Sequence, residues 1–184
     1  MAKAVQGQKL TDFTYQTAFE QGLRISDAVT RVEGKTAIAF LRYYGCTLCQ
    51  YNLHNFLSNY DAIMATGGQL MIVFQSDPEL VAEQTNDTEL PFDIICDKDQ
   101  ELYQLFEIGA AASKRDLFDD EGRAFLEKIK AEGFMHGAYE GNETQLPALF
   151  IVDHDLTLDY VHYGKLANDM PDALELADLL KQIG

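Results

Sequence analysis

"TAIAFLRYYGCTLCQYNL", residues 36–53, is the stretch on which the reading of the fold turns. Thr36 to Tyr44 is a near-continuous apolar run of strand length, the pattern of a strand buried on both faces of a sheet. Cys46 and Cys49 follow at once. Beyond them Leu48, Leu53, Phe56, Leu57, Tyr60, Ile63 and Met64 recur at roughly helical spacing, up to a stop at Gly67-Gly68. The cysteine pair therefore falls at the carboxyl end of a buried strand and in the first turn of the next helix. In open α/β sheets that is where functional groups gather.

A helix N-terminus presents unpaired N–H donors and a partial positive charge, and both favour a thiolate over a thiol. Free cysteine ionises near about 8.5, and such sites lower this to about 3.5–7.5. The i, i+3 spacing puts both sulfurs on one side of the helix, within reach of a disulfide. This predicts a redox dithiol, with Cys46 the more exposed, attacking sulfur and Cys49 the resolving one. Two other readings stay open. A structural zinc site needs about four ligands, yet Cys96, His54, His136, His154 and His162 contain no second paired motif. The pair is otherwise two inert buried cysteines. Cys96 ends the apolar run "FDIICD" and reads as a small core residue. His54 lies five positions past Cys49, on another helix face. Tyr43 and Tyr44 flank the pair as packing or as pocket walls.

Working outward, "QLMIVFQ" (69–75) and "FDIICD" (92–97) read as further buried strands. "SDPELVAEQTN" (76–86) opens a helix with Ser76 or Asp77 as cap and Pro78 in the first turn. "DKDQELYQLFEI" (97–108) is another capped helix, and residues 113–133 are helical around Leu117, Phe118, Phe125, Leu126 and Ile129. "PALFIVDHDLTLDYVHYG" (147–164) is an antiparallel hairpin turning at His154-Asp155, and "MPDALELADLLKQIG" (170–184) closes the chain as a helix with Asp169 as cap. The order predicts an α/β fold whose parallel portion carries an antiparallel edge. Without repeats, low-complexity tracts or linkers, residues 1–184 read as a single domain. Residues 107–146 form a helical insertion, or else a lid or partner surface.

Lys and Arg number 14 against 30 Asp and Glu, a net charge of −16, and there is no basic cluster. Such a field repels phosphate backbones and anionic membrane surfaces, so nucleic acid and membrane are excluded as partners. No apolar run approaches the roughly 20 residues of a membrane span, and "MAKAVQGQKLTDF" has no signal-peptide core. The expected location is cytoplasmic. Three cysteines in a chain of this length do not make a disulfide scaffold.

Taken together, "FLRYYGCTLCQ", "PFDIICDKDQELYQLF", "LPALFIVDHDLTLDYVHYG" and the opening "KLTDFTYQTAFEQGLRISDAV" resemble the peroxiredoxin-like branch of the alkyl hydroperoxide reductase and thiol-specific antioxidant superfamily. The resemblance covers almost the whole chain, most weakly over 107–146. It implies a thioredoxin fold, a central mixed sheet flanked by helices on both faces, with the helical insertion before the final hairpin. It implies a cis Leu146–Pro147 bond facing the dithiol, with Pro147, Tyr44, Gly45 and Thr47 shaping the site. It also implies a thiol–disulfide oxidoreductase working on a protein disulfide or a peroxide, with no bound cofactor and no metal, reset by thioredoxin or a small thiol. A homodimer is compatible with it. Two departures stand out. Where typical members place a proline and a threonine ahead of the reactive cysteine, this sequence has Leu41-Arg42-Tyr43-Tyr44-Gly45. Where they carry an arginine on a later strand, it has Pro147. These losses shift the expectation from peroxide reduction towards disulfide exchange. The rival from another class is a non-catalytic protein-binding module on the same fold, which would lose no thiols reversibly on mild oxidation.

Overall fold

The computed structural model describes residues 3–85 and 90–183. After a short antiparallel pair, β1 (Thr14–Tyr15) and β2 (Leu23–Arg24), and helix α1 (Ile25–Ala28), the chain enters the central strand β3 (Thr36–Phe40). Every residue of β3 is buried. Helices α2 (Thr47–Ser58) and α3 (Tyr60–Met64) lead to β4 (Gln69–Phe74). Helix α4 (Pro78–Gln84), β5 (Asp93–Cys96) and α5 (Glu101–Leu105) follow. A 3₁₀ turn (Lys114–Leu117) and α6 (Asp120–Ala131) precede the hairpin β6 (Ala148–Val152) and β7 (Leu158–Tyr163), and α7 (Ala173–Ile183) is last. The sheet order is β5-β4-β3-β6-β7; β5, β4 and β3 run parallel, while β6 pairs antiparallel with β3 and β7 with β6. This is the mixed sheet expected of a thioredoxin-like fold.

The strict alternation of a strand divides the core between the two sheet faces. Ala37 and Ala39 of β3, Leu70, Ile72 and Phe74 of β4, and Leu149 and Ile151 of β6 face α2, α3 and α7 through Leu53, Phe56, Ile63, Leu176 and Leu180. Ile38, Phe40, Met71, Val73, Phe150 and Val152 face the other way, against Ile25, Leu102, Tyr103 and Phe106. Both layers are built of buried apolar side chains, and each large one contributes about 1.5–3 kcal/mol.

Several expected boundaries move for local reasons. The strand expected through Tyr44 ends at Phe40. Leu41 N still reaches Val73 O at 3.1 Å, but Cys46 N then turns back to Tyr43 O at 3.2 Å. The long helix after Cys46 breaks at Asn59, whose side-chain amide donates to Asn55 O at 2.9 Å in competition with the helical ladder. Asp77 caps α4 by accepting from Glu79 N at 3.0 Å; the expected end of that helix at Asn86 lies outside the described residues. The hairpin turns over Asp153–Leu156, with Leu156 at φ +68°. Asp172, not Asp169, caps α7, accepting from Leu174 N and Glu175 N, both at 2.9 Å. Asp169 is taken instead by His162 and by Lys165 N.

The Leu146–Pro147 bond corrects a sharper expectation. No peptide bond among the described residues is cis, so this one is trans. Pro147 stands immediately before β6, a position that tolerates its missing N–H, and Gly164 N donates to its carbonyl at 2.9 Å. Among the described residues no helix is long and apolar enough to cross a membrane.

Candidate active site

Between the end of β3 and the start of α2 the chain makes a tight turn that delivers Cys46 to the N-cap of α2. Its φ and ψ, −70° and 129°, are extended, as a cap residue requires. The cap acceptor is sulfur: Cys46 Sγ accepts the Cys49 backbone N–H at 3.4 Å. Arg42, on the same turn, donates from Nη2 to Cys46 Sγ at 3.2 Å, and its own backbone N–H reaches Cys49 Sγ at 3.4 Å. The Cys49 thiol hydrogen-bonds the Cys46 sulfur, and with the Arg42 charge and the Cys49 N–H this outweighs burial and brings Cys46 down to about 6. Burial, reinforced by the hydrogen bond and charge of its partner, pushes Cys49 well above an ordinary thiol. One sulfur is held as thiolate and the other as thiol, side by side.

Cys46 was expected to be the more exposed of the two; it is not. The residues are 3% and 4% exposed, and the way to them is a cleft of about 240 Å³. The cover is the segment 134–145. Gly137 N donates to Gly45 O at 2.7 Å. Ser76 Oγ, which accepts Tyr44 N at 2.9 Å, donates to Glu140 at 3.0 Å. The buried Gln75 amide accepts Asn142 N at 2.7 Å and donates to Gln145 at 2.9 Å. Arg42 Nη1 is anchored on Glu143 O at 2.6 Å. The Tyr43 hydroxyl donates to the Glu143 carboxylate and lies 3.0 Å from His136 Nε2, and His136 stacks on Tyr139 at 4.1 Å between ring centres. The guanidinium that faces the thiolate is thus held from two sides of the chain.

Thr47 and Pro147 line the cleft. Gly45 sits under the covering segment, where an added Cβ would overlap the Ala138 carbonyl oxygen. Tyr44 packs edge-on against Phe74, and it is Tyr43 that reaches the cover. His54 packs on Phe134. Cys96 is buried away from the pair, its thiol pushed up to about 12 by burial and then by the nearby Asp77 and Glu140 charges. The residues that sequence reading missed are Glu143, His136 and Gln145, joined to Arg42, Tyr43 and Gln75 only by folding, and Lys130, which lines the cleft; all lie in the weakest part of the resemblance. Arg42 itself stood in plain view, four residues before Cys46, but sequence does not say where a long side chain points.

Two substitutions test this arrangement. Arg42→Met removes the cation beside the thiolate and is expected to raise the Cys46 ionisation midpoint by about one to two pH units. The check is the pH profile of Cys46 alkylation; an unmoved midpoint contradicts the contact. Gly45→Ala must push the 134–145 cover aside, with an expected cost of about 1–3 kcal/mol and faster Cys46 alkylation at neutral pH. An unchanged denaturation midpoint speaks against the close approach.

The sequence model of the AhpC/TSA family matches residues 6–161. No curated protein matches the chain. Among solved structures, it is similar to the reduced 2-Cys peroxiredoxin of Plasmodium vivax (TM-score 0.61, 10% identity, covering 97% of this chain and 79% of that one). The 1-Cys peroxiredoxin of yeast mitochondria gives a TM-score of 0.65 at 10% identity, over 96% of this chain and 74% of that one. Enterococcus faecalis AhpC gives 0.63 at 14%, over 96% and 90%. At these identities the structural likeness carries the fold.

Proposed function

The chain belongs to the AhpC/TSA family, and from that premise we propose that this thiol-dependent oxidoreductase reduces hydroperoxides with Cys46 as the attacking sulfur and Cys49 as the resolving one. The observation that carries the reading is a capped and cation-paired Cys46 sulfur on the floor of a cleft, with the Cys49 backbone N–H bonded to it and both cysteines lining that cleft. The Cys46 thiolate attacks the terminal oxygen of R–O–O–H; the O–O bond breaks, leaving Cys46–S–OH and an alkoxide that takes a proton to become R–OH. The Cys49 sulfur then displaces hydroxide from Cys46, which leaves as water, and the Cys46–Cys49 disulfide forms. A dithiol of thioredoxin type, or two molecules of a small thiol, supplies two electrons and restores the pair. Arg42 holds the starting thiolate and faces the charge that develops on the leaving oxygen, the part that the missing later-strand arginine leaves unfilled.

Peroxide is favoured over a protein disulfide because the sulfurs are covered. A small hydroperoxide passes down the cleft, whereas a folded protein's disulfide cannot reach sulfurs only 3% and 4% exposed with the 134–145 cover in place. This reverses the lean towards disulfide exchange drawn from the missing threonine and arginine. A reduced dithiol of this kind belongs in a reducing compartment, in keeping with a cytoplasmic location.

The test is a Cys49→Ser variant given one equivalent of hydroperoxide and then dimedone. The expected product is a sulfenic-acid adduct on Cys46, while the wild-type chain instead loses two thiols. No adduct on Cys46, or one confined to another cysteine, overturns the assignment.

A further inference from the structure

We infer that Tyr43 is a positioning residue of this site: its hydroxyl, bonded to the Glu143 carboxylate, sets the Glu143 carbonyl that aims the Arg42 guanidinium at the Cys46 sulfur. The inference rests on the reading of Cys46 as the attacking sulfur. It starts from the donors of Arg42. Nη2 donates to Cys46 Sγ at 3.2 Å and Nη1 to Glu143 O at 2.6 Å, while Nε is buried without a hydrogen-bond partner. Among the described residues, the Glu143 carbonyl is then the one hydrogen-bonded anchor of the guanidinium that does not depend on the sulfur it serves.

Two kinds of contact fix that carbonyl. Its neighbours are pinned along the chain: Asn142 N donates to Gln75 Oε1 at 2.7 Å, Thr144 N to Asn142 Oδ1 at 3.0 Å, and Thr144 O accepts Ala111 N at 2.8 Å. Glu143 itself is held through its side chain, which accepts from the Tyr43 hydroxyl and, at 3.2 Å, from Lys114. Lys114 is exposed, and a pair of that kind contributes little. Tyr43, at the other end of its bond, is fully buried. Burial, and then the bond to Glu143, push its hydroxyl above the ordinary phenol range, so it stays a donor. The same oxygen lies 3.0 Å from His136 Nε2, a second tie to the cover.

Tyr43 also meets Arg42 directly, with the guanidinium carbon 5.0 Å from the centre of its ring. Ring and hydroxyl are separable: phenylalanine keeps the first and removes the second. The charged and titratable groups lining the cleft with Cys46 are Arg42, Cys49, Lys130, His136 and Tyr139, and of these Arg42 and Cys49 bond its sulfur. A displaced Arg42 therefore reads out in the ionisation of Cys46, whereas losing a bond that only braces the fold leaves that ionisation where it was.

The test follows Cys46 alkylation by iodoacetamide against pH, in the wild-type chain and in three variants that keep Arg42 and all three cysteines. Tyr43→Phe is expected to raise the Cys46 midpoint by about 0.5–1 pH unit. The shift is smaller than for Arg42→Met because Asn142 and Thr144 stay pinned. Glu143→Ala and Glu143→Gln both remove the carboxylate charge, but only the second keeps an oxygen for the Tyr43 hydroxyl. The midpoint is expected to lie higher in Glu143→Ala than in Glu143→Gln by a similar amount. A low wild-type midpoint that Tyr43→Phe leaves in place overturns the positioning alone, whatever the melting temperature does. So does a rise in Tyr43→Phe with no difference between the two Glu143 variants, since the freed carboxylate then accounts for it. A wild-type midpoint at the ordinary thiol value of about 8.5 sinks the reading of Cys46 and the positioning together. Hydrogen peroxide turnover by the wild-type chain is measured beside these; its absence, with the midpoints moving as expected, sinks the hydroperoxide reading and leaves the positioning.

Discussion

Cys46→Ser is expected to lower hydroperoxide turnover at least about a thousandfold while the chain still folds cooperatively. The reacting species is a sulfur anion, and serine has no anion to offer near neutral pH even beside Arg42. The usual objection to such a result, that a buried substitution has damaged the protein, is met by the geometry. Cys46 is the N-cap of α2, bonding the Cys49 N–H through its side chain. Serine is among the best N-cap residues, its oxygen a stronger acceptor than sulfur. The cap is therefore kept, while the Arg42–thiolate pair is lost, so thermal unfolding is expected to stay a single cooperative transition at a somewhat lower temperature at neutral pH. Loss of turnover together with a retained cooperative unfolding transition supports Cys46 as nucleophile; retained turnover moves the chemistry to another group.

Phe40→Ala is expected to destabilise the chain by about 3–5 kcal/mol, a large share of the roughly 5–15 kcal/mol available to an ordinary domain. Phe40 is fully buried in the central strand β3. Its ring meets Tyr103 at 5.2 Å and Phe150 at 5.7 Å, both edge-on, and Phe106 at 5.0 Å. Three rings on one sheet face lose their common partner at once, in a core with no tryptophan to spread over the gap. The check is the denaturant midpoint at constant slope. A shift below about 1.5 kcal/mol means that the site collapses easily and that the aromatic cluster is not the anchor described. Phe40 also ends the strand that delivers Arg42 and Cys46, so its loss is expected to loosen the site as well.

The architecture was legible because its signals are local and periodic. Runs such as Leu70–Phe74 and Ala148–Val152 are apolar at every position, as only doubly covered strands are. The position of the dithiol followed from the strand-to-helix switch at Gly45-Cys46. Elsewhere local signals competed. Asp169 and Asp172 both precede α7, and only the fold decides that His162 takes the first, leaving the second as cap. Asn59 interrupts a stretch whose apolar spacing continues straight past it. The burial of Cys46 was out of reach for a different reason. Its cover comes from residues 134–145, about 90 positions away, where large apolar residues are scattered among glycines and polar residues with no helical or strand period. The same distance hid the anchoring of Arg42 on Glu143 and the part of Lys130 in the cleft.

The central claim is that the fold keeps one of two adjacent sulfurs ionised. The most direct measurement is the rate of Cys46 alkylation against pH in the reduced chain, read peptide by peptide so that Cys49 and Cys96 are followed separately. The thiolate fraction grows as pH rises through the Cys46 midpoint, so the rate is expected to climb around pH 6 and level off above it, with Cys49 and Cys96 unreactive over the same range. A Cys46 midpoint near the ordinary thiol value of about 8.5 contradicts the account.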